Sequence, residues 1–173
     1  MKTKLSILYS WFIRLITIWM PNHPVFRRFR GWLYSFMMEE YHGDFEVSSS
    51  VVITVLSGLK VGKGVRISHN VVIIGNDISL EDEVIIGPNT VISGSNHQFD
   101  GYSFRNAPGI TLGPVVIKRG SWIGANCSIL SGSILPKYSV LAAGAVLGAI
   151  LTEERLIYGG VPAKRIGKVK KTF

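Results

Sequence analysis

Cysteine is almost missing: the 173 residues contain one, Cys127. A single cysteine excludes an internal disulfide and has no CxxC partner for zinc, so the chain reads as a cytoplasmic resident of a reducing compartment, with Cys127 a small apolar filler. Charge is also scarce, at 17% against 47% hydrophobic residues, which excludes a mainly disordered chain. No apolar run is long enough to span a bilayer: residues 5–20 fall short of the roughly 20 required and are interrupted by Arg14. No small-residue cleavage site follows them, which argues against a signal peptide. Acid is missing at both ends. Residues 1–38 hold Lys2, Lys4, Arg14, Arg27, Arg28 and Arg30 with no acid, and residues 160–173 hold Lys164, Arg165, Lys168, Lys170 and Lys171 with none. The net charge of +8 therefore sits on the ends of an acidic body. That pattern suits a membrane surface or a phosphorylated cofactor rather than a duplex groove, so no nucleic-acid partner is expected.

What is present changes character along the chain. In residues 5–20, Leu5, Leu8, Phe12, Leu15, Ile16 and Trp19 fall at helical spacing opposite Ser6, Ser10, Arg14 and Thr17, and Pro21 and Pro24 end the pattern. A second helical stretch, about 25–38, places Phe26, Phe29, Leu33, Phe36 and Met37 on one face, flanked by Arg27, Arg28 and Arg30. Such a pair suits peripheral contact with anionic lipid through residues 1–38. It suits equally a cap on the next domain or packing within an oligomer.

From about residue 50, Val, Ile, Gly, Ser and Asn take over, with a period of six. Val55, Val61, Ile67 and Ile73 are in phase; after a one-residue slip Leu80, Ile86 and Ile92 follow. After a longer interruption come Ile117, Ile123, Ile129, Leu135, Leu141 and Leu147. Four residues after the aliphatic slot stand Val65, Val71, Val84, Thr90, Ser121, Cys127, Ser133, Ser139 and Ala145. Six matches neither the strand period of two nor the helical 3.6. It matches a solenoid of short strands and tight turns with one aliphatic residue pointing inward per face. Three faces make a coil of about 18 residues, so roughly five coils fit between residues 50 and 152. The domain reading is an amphipathic helical segment over 1–45, a β-helix over 46–155 with a loop at 98–113, and a basic tail over 156–173.

The hexads VGKGVR, LEDEVI, IGPNTV, IGANCS and LAAGAV, with the ending GGVPAKRIG, resemble the hexapeptide-repeat acyltransferases. The segments SGSNHQFD, PVVIKRGSWIGANCSILSGS and GGVPAK resemble the branch that acetylates maltose, galactosides and polysaccharides on oxygen. The resemblance implies a left-handed parallel β-helix, mainly β, with N-terminal α-helices. It implies acetyl-CoA as acyl donor, no metal, and a homotrimer with coenzyme A between two solenoids.

Acetyl transfer from a thioester needs a base for the acceptor hydroxyl and donors for the developing oxyanion. His97 opens the interruption, where a neutral imidazole can take that proton, and the resemblance implies the same role. Asn96 or Asp100 would orient the ring, although Asp100 serves equally as a turn residue. The interruption has no six-residue rhythm and should protrude as a loop. The resemblance sends it towards a neighbouring subunit, making Phe104 and Arg105 candidates for acceptor contact, with Asn70 or its neighbour His69 another. For the cofactor, the resemblance puts Trp122 near the pantetheine arm. Gly124, Ala125, Ala143 and Gly144 would let the arm lie against backbone. Lys164 and Arg165 would meet a phosphate, or else belong to a solvated tail. Relatives often carry Thr-Lys where this chain has Gly148 and Ala149.

Three other readings stay open. A γ-class carbonic anhydrase would need a further histidine five residues after His97, where Tyr102 stands. A solenoid can also serve as a non-catalytic scaffold. The same chemistry can take another acceptor, such as an antibiotic, serine or an amino-sugar nitrogen; the basic N-terminus favours a sugar or polysaccharide precursor at the cytoplasmic face of a membrane.

Overall fold

A computed structural model of the chain describes residues 2–107, 109–110 and 112–171. Every aliphatic slot of the six-residue pattern is buried, from Val55 at 7% exposed down to Ile67, Ile86, Ile123 and Leu141 at 0%. These residues fill the inside of a parallel β-helix with three faces. The first face stacks Glu40–Tyr41, Leu59–Val61, Ile78–Leu80, Val115–Ile117 and Ile134–Leu135. The second stacks Glu46–Val47, Arg66–Ile67, Ile85–Ile86, Trp122–Ile123, Val140–Leu141 and Leu156–Gly159. The third stacks Val52–Ile53, Val72–Ile74, Val91–Ser93, Ser128–Ile129 and Val146–Leu147. Register keeps like on like: Val47, Ile67, Ile86, Ile123, Leu141 and Tyr158 form one inward column. Each such side chain contributes about 1.5–3 kcal/mol by leaving water.

The slot four residues on lies at the inner side of a corner and is also buried. Its hydroxyls are satisfied by backbone carbonyls. Thr90 donates to Gly124 O at 3.1 Å, Ser121 to Pro136 O at 2.6 Å and Ser133 to Leu147 O at 3.0 Å. A small polar residue therefore fits there without an unpaired group. The corners turn through left-handed backbone at stacked positions. Asn70, Asn89, Asn126 and Gly144 form one such column, with φ between 57° and 74°; asparagine and glycine tolerate that region best.

The stack begins with an open edge, because the first coil has no coil before it. Helix α1 (Lys2–Thr17) and helix α2 (Pro24–Ser35) lie on that edge. Their polar faces turn inward. Ser10 Oγ donates to Ile53 O. Arg30, 1% exposed, donates from Nη1 to Val47 O at 2.6 Å, from Nη2 to Met20 O at 2.8 Å and Pro21 O at 3.2 Å, and from Nε to Thr17 O at 3.3 Å. Gly31 presses against the same strand: a Cβ there would sit 1.9 Å from Phe45 O. Buried Glu46 accepts Arg27 at 2.8 Å and Arg28 at 3.4 Å, and Arg28 also pairs with Asp44 at 2.9 Å. The α2 arginines, expected as a flank, thus hold the helix to the solenoid.

At the other end, Lys164–Lys168 pairs antiparallel with Leu156–Gly159 and covers the last strand of the second face. Part of the segment read from sequence as a basic tail is therefore a strand.

Arg30→Met leaves buried carbonyls without a donor and is expected to cost about 3 kcal/mol, read as a lower denaturant midpoint. Gly31→Ala should destabilise comparably, because backbone rather than a flexible side chain stands in the way. Burial pushes the Tyr34 phenol up to about 12, although Arg14 and Arg30 pull the other way. Because the unfolded chain releases this proton first, Tyr34 should favour the folded state fully below its ordinary range and progressively less as pH rises towards 12. Burial also raises the Tyr9, Tyr41 and Tyr158 phenols, so ultraviolet titration should show several late phenols, of which Tyr34→Phe removes the one that ionises last.

Candidate active site

Residues 94–114 join a strand of the third face to one of the first, so the interruption leaves the solenoid at its third corner. Its stem is a short antiparallel pair in which Asn96 faces Ile110 and His97 faces Gly109. Both Asn96 and His97 are exposed. The stem therefore holds the backbone of His97 while the residue stays exposed. Pro108 lies outside the described residues.

Ser131, one coil beyond the excursion, ties its two ends together. It is 7% exposed, and its Oγ lies 3.3 Å from Gly94 O and 3.2 Å from Gly113 O while accepting Leu112 N at 3.0 Å. Sequence reasoning missed this residue. The available signal was a serine two places beyond Ile129, outside the repeat's usual serine slot, directly above the interruption.

Within the loop, Asp100 Oδ1 accepts the backbone N–H of Tyr102 at 2.8 Å and of Ser103 at 2.7 Å. These two donors hold its carboxyl below the ordinary aspartate range. The contacts are those of a turn residue; they leave Oδ2 uncommitted. Phe104 packs on Phe99 with centroids 5.0 Å apart, and Arg105 N donates to Ser103 Oγ at 2.9 Å. Both Phe104 and Arg105 are exposed.

The residues named for the cofactor gather elsewhere. Trp122 stands on the outer side of the second face, 53% exposed, between Ile85 and Val140. The next corner is tightly stacked. A Cβ at Gly87 would lie 2.6 Å from Gly124 C, and one at Gly124 would lie 2.6 Å from Ala143 N. Close stacking therefore requires glycine at Gly124, which is buried, while Ala125 is half-buried and Ala143 and Gly144 one coil on are exposed. Lys164 and Arg165 lie on the closing strand of that same face, where Arg165 Nη1 is 3.2 Å from Glu153 Oε2. The exposed small residues of this corner, beyond a half-exposed indole, leave room for an extended, amide-bearing chain such as a pantetheine arm.

Asn70 sits at that corner two coils earlier, where its Nδ2 donates to Asn89 Oδ1 at 3.1 Å. His69 Nε2 lies 3.1 Å from Asn22 Nδ2, beneath the helices. Among the described residues no three His, Cys, Asp or Glu side chains are grouped to hold a metal ion.

In a three-sided prism the third corner is opposite the second face. One copy therefore keeps the two groups apart: His97, Asn96, Asp100, Phe104 and Arg105 on one side, Trp122, Gly124, Ala125, Ala143, Gly144, Lys164 and Arg165 on the other.

The architecture has close parallels. A hexapeptide-repeat acetyltransferase from Vibrio cholerae, crystallised with acetyl coenzyme A, superposes with a TM-score of 0.82 at 24% identity, over 97% of this chain and 89% of that one. A maltose O-acetyltransferase from Clostridium difficile gives 0.82 at 18% identity, over 97% and 88%. In sequence, a candidate acetyltransferase of Saccharomyces cerevisiae is 34% identical over 115 residues, 65% of this chain and 57% of its own length. In sequence and in fold the chain is similar to the hexapeptide-repeat acetyltransferases. No protein-family profile matches it. The chain spans about half the length of the curated relatives it matches.

Ser131→Ala should release both ends of the excursion. Amide exchange at Leu112 is expected to accelerate about tenfold or more, with the melting of the solenoid little changed.

Proposed function

We propose that this protein is an acetyl-CoA-dependent O-acetyltransferase acting on a hydroxyl of a sugar or polysaccharide precursor, with His97 as general base. The observation that carries the reading is one exposed imidazole, fixed on a stem at a solenoid corner, in a fold shared with an acetyltransferase crystallised with acetyl coenzyme A. A sugar hydroxyl ionises too little at neutral pH to attack a thioester unaided. His97 takes the hydroxyl proton as the oxygen bonds to the thioester carbonyl carbon. The carbon–sulfur bond then breaks, and the imidazolium returns the proton to the departing thiolate.

The opposition of the two groups supports assembly of each site between copies, with the excursion of one solenoid reaching the second face of another. A closed homotrimer provides three equivalent sites of this kind. Trp122 and the small residues Gly124, Ala125, Ala143 and Gly144 beyond it would then hold the pantetheine arm, and Lys164 and Arg165 its phosphate end. Asn96, the neighbour of His97 on the stem, is the candidate for orienting the imidazole. Phe104, Arg105 and Asn70 are the candidates for acceptor contact. The lone, buried Cys127 suits a reducing compartment and supports a cytoplasmic reading.

Thiol release from acetyl-CoA, measured with a panel of sugars and amino sugars, tests the reading. His97→Ala should lose at least about a hundredfold in kcat. Near-normal turnover by a stably folded variant would remove His97 from the mechanism. Trp122→Ala should raise KM for acetyl-CoA by about tenfold with a smaller change in kcat. Ultracentrifugation should give three times the 19.1 kDa chain mass.

A further inference from the structure

The capping helices are packed with their amphipathicity reversed. The buried residues of α1 are Ser6, Ser10, Ile13 and Thr17. Its apolar side faces away from the protein: Leu8 is 61% exposed, Trp11 57%, Phe12 50%, Leu15 50% and Trp19 88%. Helix α2 behaves alike, burying Arg30, Gly31 and Tyr34 while Phe29, Trp32 and the following Phe36 stack on one another in the open, with centroids 5.9 and 4.8 Å apart.

The helices run antiparallel. Tyr9 donates to Leu33 O at 2.8 Å, and Leu5 shares a cleft with Phe36, whereas Arg30 reaches Thr17. Their outward stripes are thereby neighbours on one platform over the end of the solenoid. An isolated surface leucine needs no explanation; a contiguous apolar platform marks a binding surface.

We propose that this platform docks in the plane of an anionic lipid bilayer. Three observations favour lipid over a second copy of the chain. The apolar band of α1 runs from Ile7 through Leu8 to Ile16, about half the helix circumference, wider than the narrow seam of a helix–helix contact. Three of the four tryptophans, Trp11, Trp19 and Trp32, lie on the platform with their rings outward; the aromatic–polar indole suits the headgroup boundary, and its N–H would need a partner in a protein core. The helices carry charge of one sign: Lys2 and Lys4 are exposed at the start of α1 and the first 38 residues contain no acid, while Glu39, at the rim beside Lys2, is paired with Lys60 at 3.3 Å. Arg27, Arg28 and Arg30 are engaged with the solenoid and leave attraction to lipid to those lysines. No helix among the described residues is long and apolar enough to cross a membrane, so the helices lie in the interface rather than through it.

The test is co-sedimentation of the full chain with vesicles of phosphatidylcholine alone or with one third phosphatidylglycerol. Thiol release and oligomeric mass are read in parallel. Wild type should pellet with the anionic vesicles, with a blue shift of tryptophan emission. Leu8→Glu with Leu15→Glu should lower binding by at least about tenfold, while melting and thiol release stay unchanged. Lys2→Glu with Lys4→Glu should weaken binding to the anionic vesicles alone. Absence of binding by wild type, or equal binding by the Leu8/Leu15 variant, would overturn the proposal. So would a lower oligomeric mass in that variant without any vesicle binding by wild type, which would assign the platform to a second copy.

Discussion

Each coil of this protein is hydrogen-bonded to the next, so the stack must end in two edges of unpaired backbone. Much else follows from how those edges are completed. At the start, Val47 O and Ile53 O point at no neighbouring strand, and Arg30 and Ser10 donate to them. At the finish, Lys164–Lys168 folds back on Leu156–Gly159. Exposed strand edges recruit further strands, and a solenoid is more vulnerable than most folds because every face ends in one. A capping helix must therefore bring donors, which turns its polar side inward. The outward apolar side is the geometric remainder of that requirement.

Stacking also determines where chemistry can be placed. An insertion within a strand would break register on both sides, whereas one at a corner leaves every pairing intact. The chain inserts residues 94–114 at a corner, and the strands that flank the insertion remain paired with the coils above and below. Ser131 then draws the two ends of the excursion together from the following coil. His97 thus gains exposure from the loop and precision from the solenoid, the combination expected of a group on a rigid support. The corner after Trp122 has a related origin. Gly87 and Gly124 are required by close stacking, because a Cβ at either would run into the backbone of the next coil.

The solenoid interior was legible in the sequence because its signal repeats. Every aliphatic slot and every small corner slot is a new instance of one rule, and all of them are buried. The caps were not legible because each occurs once. Arg30 beside Arg27 and Arg28 has the appearance of a charged flank; only the three-dimensional edge reveals it as a donor to four carbonyls. Helical spacing separated the two faces of α1 correctly, yet periodicity carries no information about which face turns inward. The usual expectation, apolar side in, fails here because the partner surface is an unpaired sheet edge instead of an apolar core. The strand Lys164–Lys168 was hidden for a similar reason: its lysines and arginine disguise a short pairing segment as a tail. Ser131 could have been noticed, since it departs from the repeat next to the interruption.

The two proposals fit one geometry. The platform and the excursion are separated by the coils between them, and successive coils lie about 4.8 Å apart. The excursion leaves after the third coil, two spacings or about 10 Å beyond the first, and the helix layer beneath adds about 10 Å more. His97 would therefore stand clear of the headgroups when the platform rests on a bilayer, at a height suited to a sugar displayed above the surface rather than to the lipid itself. The same spacing explains how a docked chain can stay rigid. The helices are held to the first coil by Arg30, Ser10 and the Glu46 ion pairs, so contact with lipid would require no rearrangement of the solenoid, and the stem that carries His97 would be untouched by what covers the cap.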